Sequence, residues 1–487
     1  MSRLRRKPSE LATASTLQQE DPTLVPNRKT KSVRLTLWPL VAATFFMVSA
    51  GTYGIEDIVH GAGYGRAILF LVLTPLLWSL PTAFMIGELS SALPFEGGYY
   101  AWVRRAMGNF WGFQEAWLSL AASIFDMAIY PTLFVEYLKR LFPWFRDAAH
   151  GITITGSHLA ITISAATLVG LTVVVVCALL NIAGVKVVST TSLWLFFALS
   201  SPFVLIVLLS PLKYGALFHA VTTPTTSKVD LIGGLLICMW NYMGWDNAST
   251  IATEVERPQR TYPRAMLAAV CIVALSYIIP VAAVWMTKLP AGSWETGSWA
   301  DIAGLLGGPI LRVALVVGGM FSAFGMFNAL VMSYSRLPLA MAQDGMLPSL
   351  FGKLNRRRAP WVAIVALAIG WACCLGLGFE RLVTIDILIY GLSLALEFMA
   401  LVVLRVREPN LARPFRVPGG ILGAIAVGVA PVALLGFDLV RSQSEHILGM
   451  SSFAFGALVI AAGVLAYVLN QVLKPAGWTA REEAPVA

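Results

Sequence analysis

The chain has 487 residues, 57% of them hydrophobic and only 13% charged, with a formal net charge of +9 and a mean hydropathy of +0.74. A soluble chain carries about 25% charged residues and roughly 45–50% apolar ones. So long a chain with so little charge excludes a soluble enzyme, a secreted disulfide scaffold and a single-anchor receptor, and leaves a polytopic membrane protein.

Residues 1–35 form a basic, polar tail with Pro8, Pro22 and Pro26, expected to be disordered and cytoplasmic. Twelve apolar segments follow, at 36–60, 66–93, 111–140, 158–180, 186–209, 231–255, 263–286, 309–334, 360–378, 381–404, 420–440 and 450–473. Each suits the roughly 20 apolar residues of a spanning helix. An all-α membrane protein with twelve transmembrane helices is expected, and a second short tail covers 474–487. No cleavable signal precedes the first segment. The five cysteines lie in apolar stretches without metal-ligand spacing and read as packing residues.

An even number of spans puts both termini on one side. With the N-terminus inside, inner loops carry Arg104–Arg105, Lys186, Arg257/Arg260/Arg264, Lys353/Arg356/Arg357/Arg358 and Arg405/Arg407/Arg413/Arg416. Outer loops carry mostly isolated charges, such as Arg66, Lys213, Lys228 and Lys288. The bias of Lys and Arg toward inner loops places both termini in the cytoplasm. The same placement explains the net charge without nucleic acid. No metal or cofactor is called for.

Two spans are chemically odd. The first reads SAGTYGIEDIVHGAG from Ser49 to Gly63, and the sixth reads MWNYMGWDNASTIATEVE from Met239 to Glu256. Glycines can serve close helix packing. Paired at first and sixth positions with acids beside them, they favour broken helices, which mark the binding site of an inverted-repeat transporter. Spans 1–5 (36–209) and 6–10 (231–404) would then be the repeats, with two further helices at 420–473.

Acids at membrane depth are functional candidates by default. Asp126 sits near the centre of span 3, five residues before Pro131. Asp246 follows the proposed break at Gly244, flanked by Trp240 and Trp245, whose ring faces can hold an ammonium group beside a carboxylate. It can equally cap the second half-helix. Glu397, in the inner half of span 10, is the best-placed carrier of a proton, since it lies outside that cage and no basic residue of its own span is near. Glu88, at the inner end of span 2, is the second candidate for proton coupling, although loop arginines are within its reach, as they are for Glu254 and Glu256. Glu56 and Asp57 are placed to cap the outer half of span 1.

ELSSALPFEGGYYAWVRRAMGNFWGFQEAW, from Glu88 to Trp117, resembles the second-to-third-span signature of the amino acid–polyamine–organocation superfamily. GTYGIEDIV, FDMAIYPTLFVEYLK, WNYMGWDNASTIATEVERPQRTYPRAM, GMFNALVMSYSRLPLAMAQDGMLP and LEFMALVVLRVREPNLARPFRVP resemble its polyamine:proton symporter branch, which includes plant polyamine uptake transporters. The resemblance covers about residues 36–420. It implies a five-plus-five inverted repeat with helices 1 and 6 broken, two extra C-terminal helices, and a substrate site between spans 1, 3, 6, 8 and 10. Carried over residue by residue, that site comprises Gly51, Thr52, Tyr53 and Gly54 of span 1 and Asp126 of span 3. Span 6 adds Trp240, Asn241, Gly244, Trp245 and Asp246, and spans 8 and 10 add Asn328 and Tyr390. SAGTYG departs from the GSGIF-like run of many amino acid carriers.

The expected function is secondary active transport across the cell membrane, namely proton-coupled uptake of a small cationic substrate of the putrescine or spermidine type. Symport or exchange of cationic or neutral amino acids is the alternative. Glu56 and Asp57 repel the α-carboxylate of an amino acid from the broken first helix, whereas a diamine can use Asp126 and Asp246 as two anchors. Sodium, held by oxygens near Ser333 and Ser335, is the competing coupling ion. No Walker-type loop, HExxH motif or nucleophile elbow is present, so neither an ATP-driven pump nor an enzyme is expected.

Overall fold

The computed structural model describes residues 35–49, 51–95, 97–146, 152–155, 160–184, 191–214, 230–287, 289–441, 446–447 and 450–473. The expected tails and the loop residues Lys186, Lys228 and Lys288 lie outside them.

The chain is helical throughout its apolar length. Helix α1 (Leu37–Val48) stops at a non-helical stretch, and α2 (Glu56–Thr74) restarts with two acids in its first turn, at the positive end of the helix dipole. No loop separates the first and second apolar segments: α2 continues past a single non-helical residue, Gly63, and runs through a π turn at Pro75–Ser79 into α3 (Leu80–Ala92). The expected loop after span 2 contains an amphipathic helix, α4 (Tyr99–Met107), which leads to α5 (Asn109–Leu141). Pro131 sits inside α5 without ending it, because α5 packs along two other long helices that hold both of its sides.

A hairpin of β1 (Ile152–Thr155) and β2 (Ala160–Ile163), with Ile152 opposite Ile163, precedes α6 (Ala165–Ile182), whose first turn is closed by a Ser164–Thr167 capping box. Helix α7 (Thr191–Tyr214) follows. The sixth segment is broken as expected: α8 (Leu231–Asn241) ends before Gly244, and a 3-10 stretch spans Trp245–Glu254. Then come α9 (Pro258–Trp285) and the 45-residue α10 (Trp299–Gln343), kinked at Gly308. Next are α11 (Trp361–Cys373), α12 (Phe379–Arg407), α13 (Gly420–Arg441), a short pairing of β3 (His446–Ile447) with β4 (Met450–Ser451), and α14 (Ser452–Leu473).

Among the described residues nine helices are long and apolar enough to cross a membrane, and α1 and α11 are shorter apolar ones. Their outward faces carry Leu, Ile, Val and Phe, as a lipid-facing surface does, while α5 and α12 are the most buried of the nine. Helix α5 packs along both α10 and α12 at the centre of the molecule. Polar side chains buried between these helices therefore have protein, not lipid, for neighbours.

Candidate functional site

The two breaks meet. Gly54 has φ +83°, a left-handed value that suits glycine, and a Cβ there would lie 3.3 Å from the Trp240 ring. Gly244 also has φ +83°, and a Cβ there would lie 3.1 Å from the Met47 carbonyl oxygen. Each glycine thus lets one break approach the helix of the other. Asn241 ties them directly: its side-chain amide donates to the Gly54 carbonyl at 3.1 Å. Glu56 closes the first break from the other side, accepting from the Gly54 N–H at 2.8 Å, from the Gly297 N–H at 3.0 Å and from the Tyr137 hydroxyl. Glu56 was expected to cap α2. It reaches back into the break instead, because the unpaired amide there is the nearest buried donor. Asp57 accepts from the Thr296 hydroxyl at 2.7 Å.

Three carboxylates gather at one small cavity beside the breaks: Asp126 and Asp386 line it, together with Met47, Val48, Tyr130, Trp240, Met243, Gly244, Asn247, Tyr334 and Tyr390, and Asp246 reaches it only through its hydrogen bond with the lining Tyr390. Asp126 accepts from the hydroxyls of Tyr130 at 3.0 Å and Tyr334 at 3.2 Å, and from the Trp240 indole N–H at 3.3 Å. Asp246, at the start of the 3-10 stretch, accepts from the Tyr390 hydroxyl at 2.6 Å. The third is Asp386, one turn before Tyr390 on α12 and fully buried. Sequence reasoning missed Asp386, although the signal was present: it is an acid within an apolar span, the same mark that singled out Asp126 and, in its own span, Glu397.

No lysine, arginine or histidine lines this cavity. It measures about 20 Å³, room for one water. A second cavity of about 10 Å³ lies beyond Trp240, lined by Ser49, Tyr53, Tyr137 and Asn241 among others, and Val48, Tyr130 and Trp240 line both. Larger cavities of about 380 and 470 Å³ open on the Glu56 side, both lined by Asp57, with Asp230 and Glu380 in one and Glu136 and Glu295 in the other.

Of the residues expected at the site, Asp126, Trp240, Gly244 and Tyr390 line the first cavity, Tyr53 and Asn241 line the second, and Asp246 sits behind the first as the partner of Tyr390. Gly51 (φ +120°) shapes the break. Thr52 turns away, donating to the Ser276 carbonyl at 2.7 Å. Trp245 is fully buried and donates to the Tyr242 carbonyl, so it packs behind the break and does not face Asp246 as a cage wall. Asn328 lies on the opposite face of α10, where its side-chain oxygen accepts from Asn181 of α6 at 3.0 Å.

The two coupling candidates stand apart. Glu88 is held by Arg405 through two hydrogen bonds, by Arg413 at 3.2 Å and by the Val417 N–H at 2.7 Å. Its partners are the loop arginines that the sequence left as its other reading. Glu397 is buried with neither carboxylate oxygen hydrogen-bonded among the described residues. Among the described residues no cluster of His, Cys, Asp and Glu suits a metal ion.

A model of the amino acid permease family matches residues 37–470. A polyamine transporter of Arabidopsis thaliana is 35% identical over 463 residues, covering 94% of this chain and 90% of that protein. A polyamine transporter of Oryza sativa is 35% identical over 428 residues, covering 87% and 77%. The chain is also similar, at 25% identity over 73% of its length and 79% of the other, to a serine/threonine exchanger of Bacillus subtilis. The chain belongs to the amino acid permease family of the amino acid–polyamine–organocation superfamily, a family of membrane transporters rather than enzymes.

Proposed function

We propose that this amino acid permease takes up polyamines, cations of the putrescine and spermidine type, across the cell membrane and is driven by an inward proton gradient. The observation that carries the reading is the cavity with Asp126 and Asp386 on its walls, Asp246 hydrogen-bonded to the lining Tyr390, aromatic side chains between them and no basic side chain. Two or more separated carboxylates match a molecule with an ammonium at each end, and the faces of Trp240 and the tyrosines suit its charge and its methylene chain. The outer cavities carry more acids than bases, Asp57, Asp230 and Glu380 against Arg381 in one and Asp57, Glu136 and Glu295 against Lys139 and Arg140 in the other, a balance that favours a cation. The polyamine transporters of Arabidopsis and rice named above, similar over most of the chain, support the same substrate class.

An amino acid is the poorer fit. Its carboxylate requires free amide donors at the first break, and Glu56 already takes the Gly54 amide there. Twelve spans in a five-plus-five inverted repeat belong to the same reading, and the breaks after α1 and α8 support it. The arginines Arg104, Arg105, Arg405, Arg407 and Arg413 gather at one end of α4 and α12, which supports both termini being cytoplasmic.

Uptake by proteoliposomes offered putrescine, spermidine, arginine and a neutral amino acid tests the reading. Accumulation of the two polyamines above the amino acids under an inward proton gradient is expected. Preference for a neutral amino acid, or drive by sodium alone, overturns it.

A further inference from the structure

Helices α5 and α12 face each other with a mirrored sequence of polar residues. Along α5 these are Glu115, Ser119 and Asp126; along α12 they are Asp386, Ser393 and Glu397. The spacings are four and seven residues on one helix and seven and four on the other. The two serines meet at 2.7 Å, and both hydroxyls reach one oxygen of Glu115, Ser119 at 2.8 Å and Ser393 at 3.1 Å. Asp126 and Asp386 therefore make one carboxylate pair, in the cavity, and Glu115 and Glu397 make another, three turns or about 16 Å further along. Only the first pair is among the residues lining the cavity.

The inner pair is unusual in what it lacks. Glu115 and Glu397 are both 0% exposed; among the described residues the second oxygen of Glu115 and both oxygens of Glu397 have no hydrogen-bond partner. The Tyr99 hydroxyl of α4 is fully buried as well, and it lies beside Ser119 and within the field of Glu115, Asp246 and Glu397. The charged groups nearest Glu397 are Asp246 and Glu115, both acidic, with Tyr390 and Tyr99 beside it. Helices α8 and α14 carry no charged residue, and the described side chains of α13 carry none. Arg405 is bound to Glu88 of α3, while Arg104 and Arg105 of α4 are bound to Asp344 and Glu408.

Two carboxylates buried together without a counter-ion repel each other strongly at membrane depth. A positive charge between them removes that repulsion. We infer that Glu115 and Glu397 form a second ion site that holds one shared proton, and that this pair couples transport to the proton gradient. The inference rests on the reading of a proton-driven carrier given above. A proton suits the site because two carboxyl groups and three hydroxyls, those of Ser119, Ser393 and Tyr99, can bind and relay it. In the cycle the proton arrives by way of the cavity, sits on the pair, and leaves to the cytoplasm when the inner end of α5 and α12 opens. Asp246 lies in electrostatic contact with the pair and with the cavity, so the charge at one site is felt at the other.

The test uses the full chain in proteoliposomes with radiolabelled putrescine and a luminal pH dye. Glu115→Gln and Glu397→Gln are each expected to lower accumulation driven by a pH gradient by at least about tenfold, while substrate exchange falls less than about threefold. Because the proton is shared, the double variant should lose no more than either single one. Glu115→Asp, which keeps the carboxyl group, should regain part of the accumulation and guards against a folding defect. Accumulation by either Gln variant at the wild-type level overturns the pair as the proton site while leaving polyamine uptake intact. Wild-type uptake without any pH change in the lumen overturns proton coupling itself, and the pair with it.

Discussion

The Tyr390 hydroxyl donates to Asp246 at 2.6 Å, joining α12 to the break in the sixth span across 144 residues of sequence. That hydrogen bond ties the carboxylate to a residue that lines the cavity with Asp126 and Asp386.

Asp246→Asn is expected to abolish uptake of a cationic substrate without unfolding the protein. Removing one partner of a buried charge pair costs about 3–5 kcal/mol, which is on the order of 10²–10³ in affinity. Tyr390→Phe deletes a hydrogen bond to a charged group, worth about 1.5–3 kcal/mol, and should weaken binding by roughly tenfold or more. In the Asp246→Asn background the Tyr390 change should cost almost nothing. Substrate titration of the purified variants measures both, and an affinity change under about threefold for Asp246→Asn reduces Asp246 to a helix cap.

Asp126→Asn and Asp386→Asn separate substrate classes. If carboxylates at two places hold the two ends of a diamine, each variant weakens putrescine far more than a neutral amino acid. Competition uptake assays with both substrates read the ratio. Equal losses for the two mean that these acids serve structure alone.

The Glu88–Arg405 pair predicts a stability effect instead of a transport one. Both side chains are almost fully buried, at 0% and 1% exposure. Glu88→Gln leaves Arg405 uncompensated and should cost about 3–5 kcal/mol, seen as a lower melting temperature in detergent. Replacing both with apolar side chains should recover much of the loss. A single variant that melts with the wild type shows the pair to be dispensable.

Orientation is tested by single cysteines. Lys353 and Arg416 are exposed at the basic end and should label only with reagents that reach the cytoplasm; Ser293 is exposed at the other end and should label from outside. Arg416 serves better than Arg413, which is bound to Glu88. Labelling of all three from outside overturns the assignment.

The last prediction concerns pH. Glu408 follows the end of α12, and hydrogen bonds from the Arg105 guanidinium hold its carboxyl below the usual carboxylate range. A carboxyl with a lowered folded value stabilises the fold above its unfolded value of about 4.3, and that contribution is lost as pH falls through the folded value. The melting difference between wild type and Glu408→Gln should therefore be small but present at about pH 7, shrink below about pH 4, and shrink with added salt. A difference that grows in acid contradicts the pairing.

Hydropathy alone determined the class of this protein, the positions of its apolar segments and the breaks at Gly51–Gly54 and Gly244. Each of these follows from local composition: a run of apolar residues requires lipid or protein around it, and a glycine with polar neighbours cannot continue a lipid-facing helix. The same logic marked Asp126, Asp246 and Glu397 as acids at membrane depth, and it held the signal for Asp386 and Glu115 as well. Only the tertiary structure decided which of them meet. Asp386, Tyr390, Ser393 and Glu397 fall at helical spacing on one face of α12, but the sequence does not say which helix that face meets. Rotation about the helix axis is fixed by packing against α5 and the broken sixth span. That rotation puts Asp386 and Tyr390 in the cavity and stacks Ser393 on Ser119. It likewise sends Asn328 to Asn181 and buries Trp245 behind the break. Depth in the membrane is written along the chain, residue by residue. Direction around a helix depends on neighbours hundreds of residues away, and so Glu88 met Arg405 only in the folded molecule.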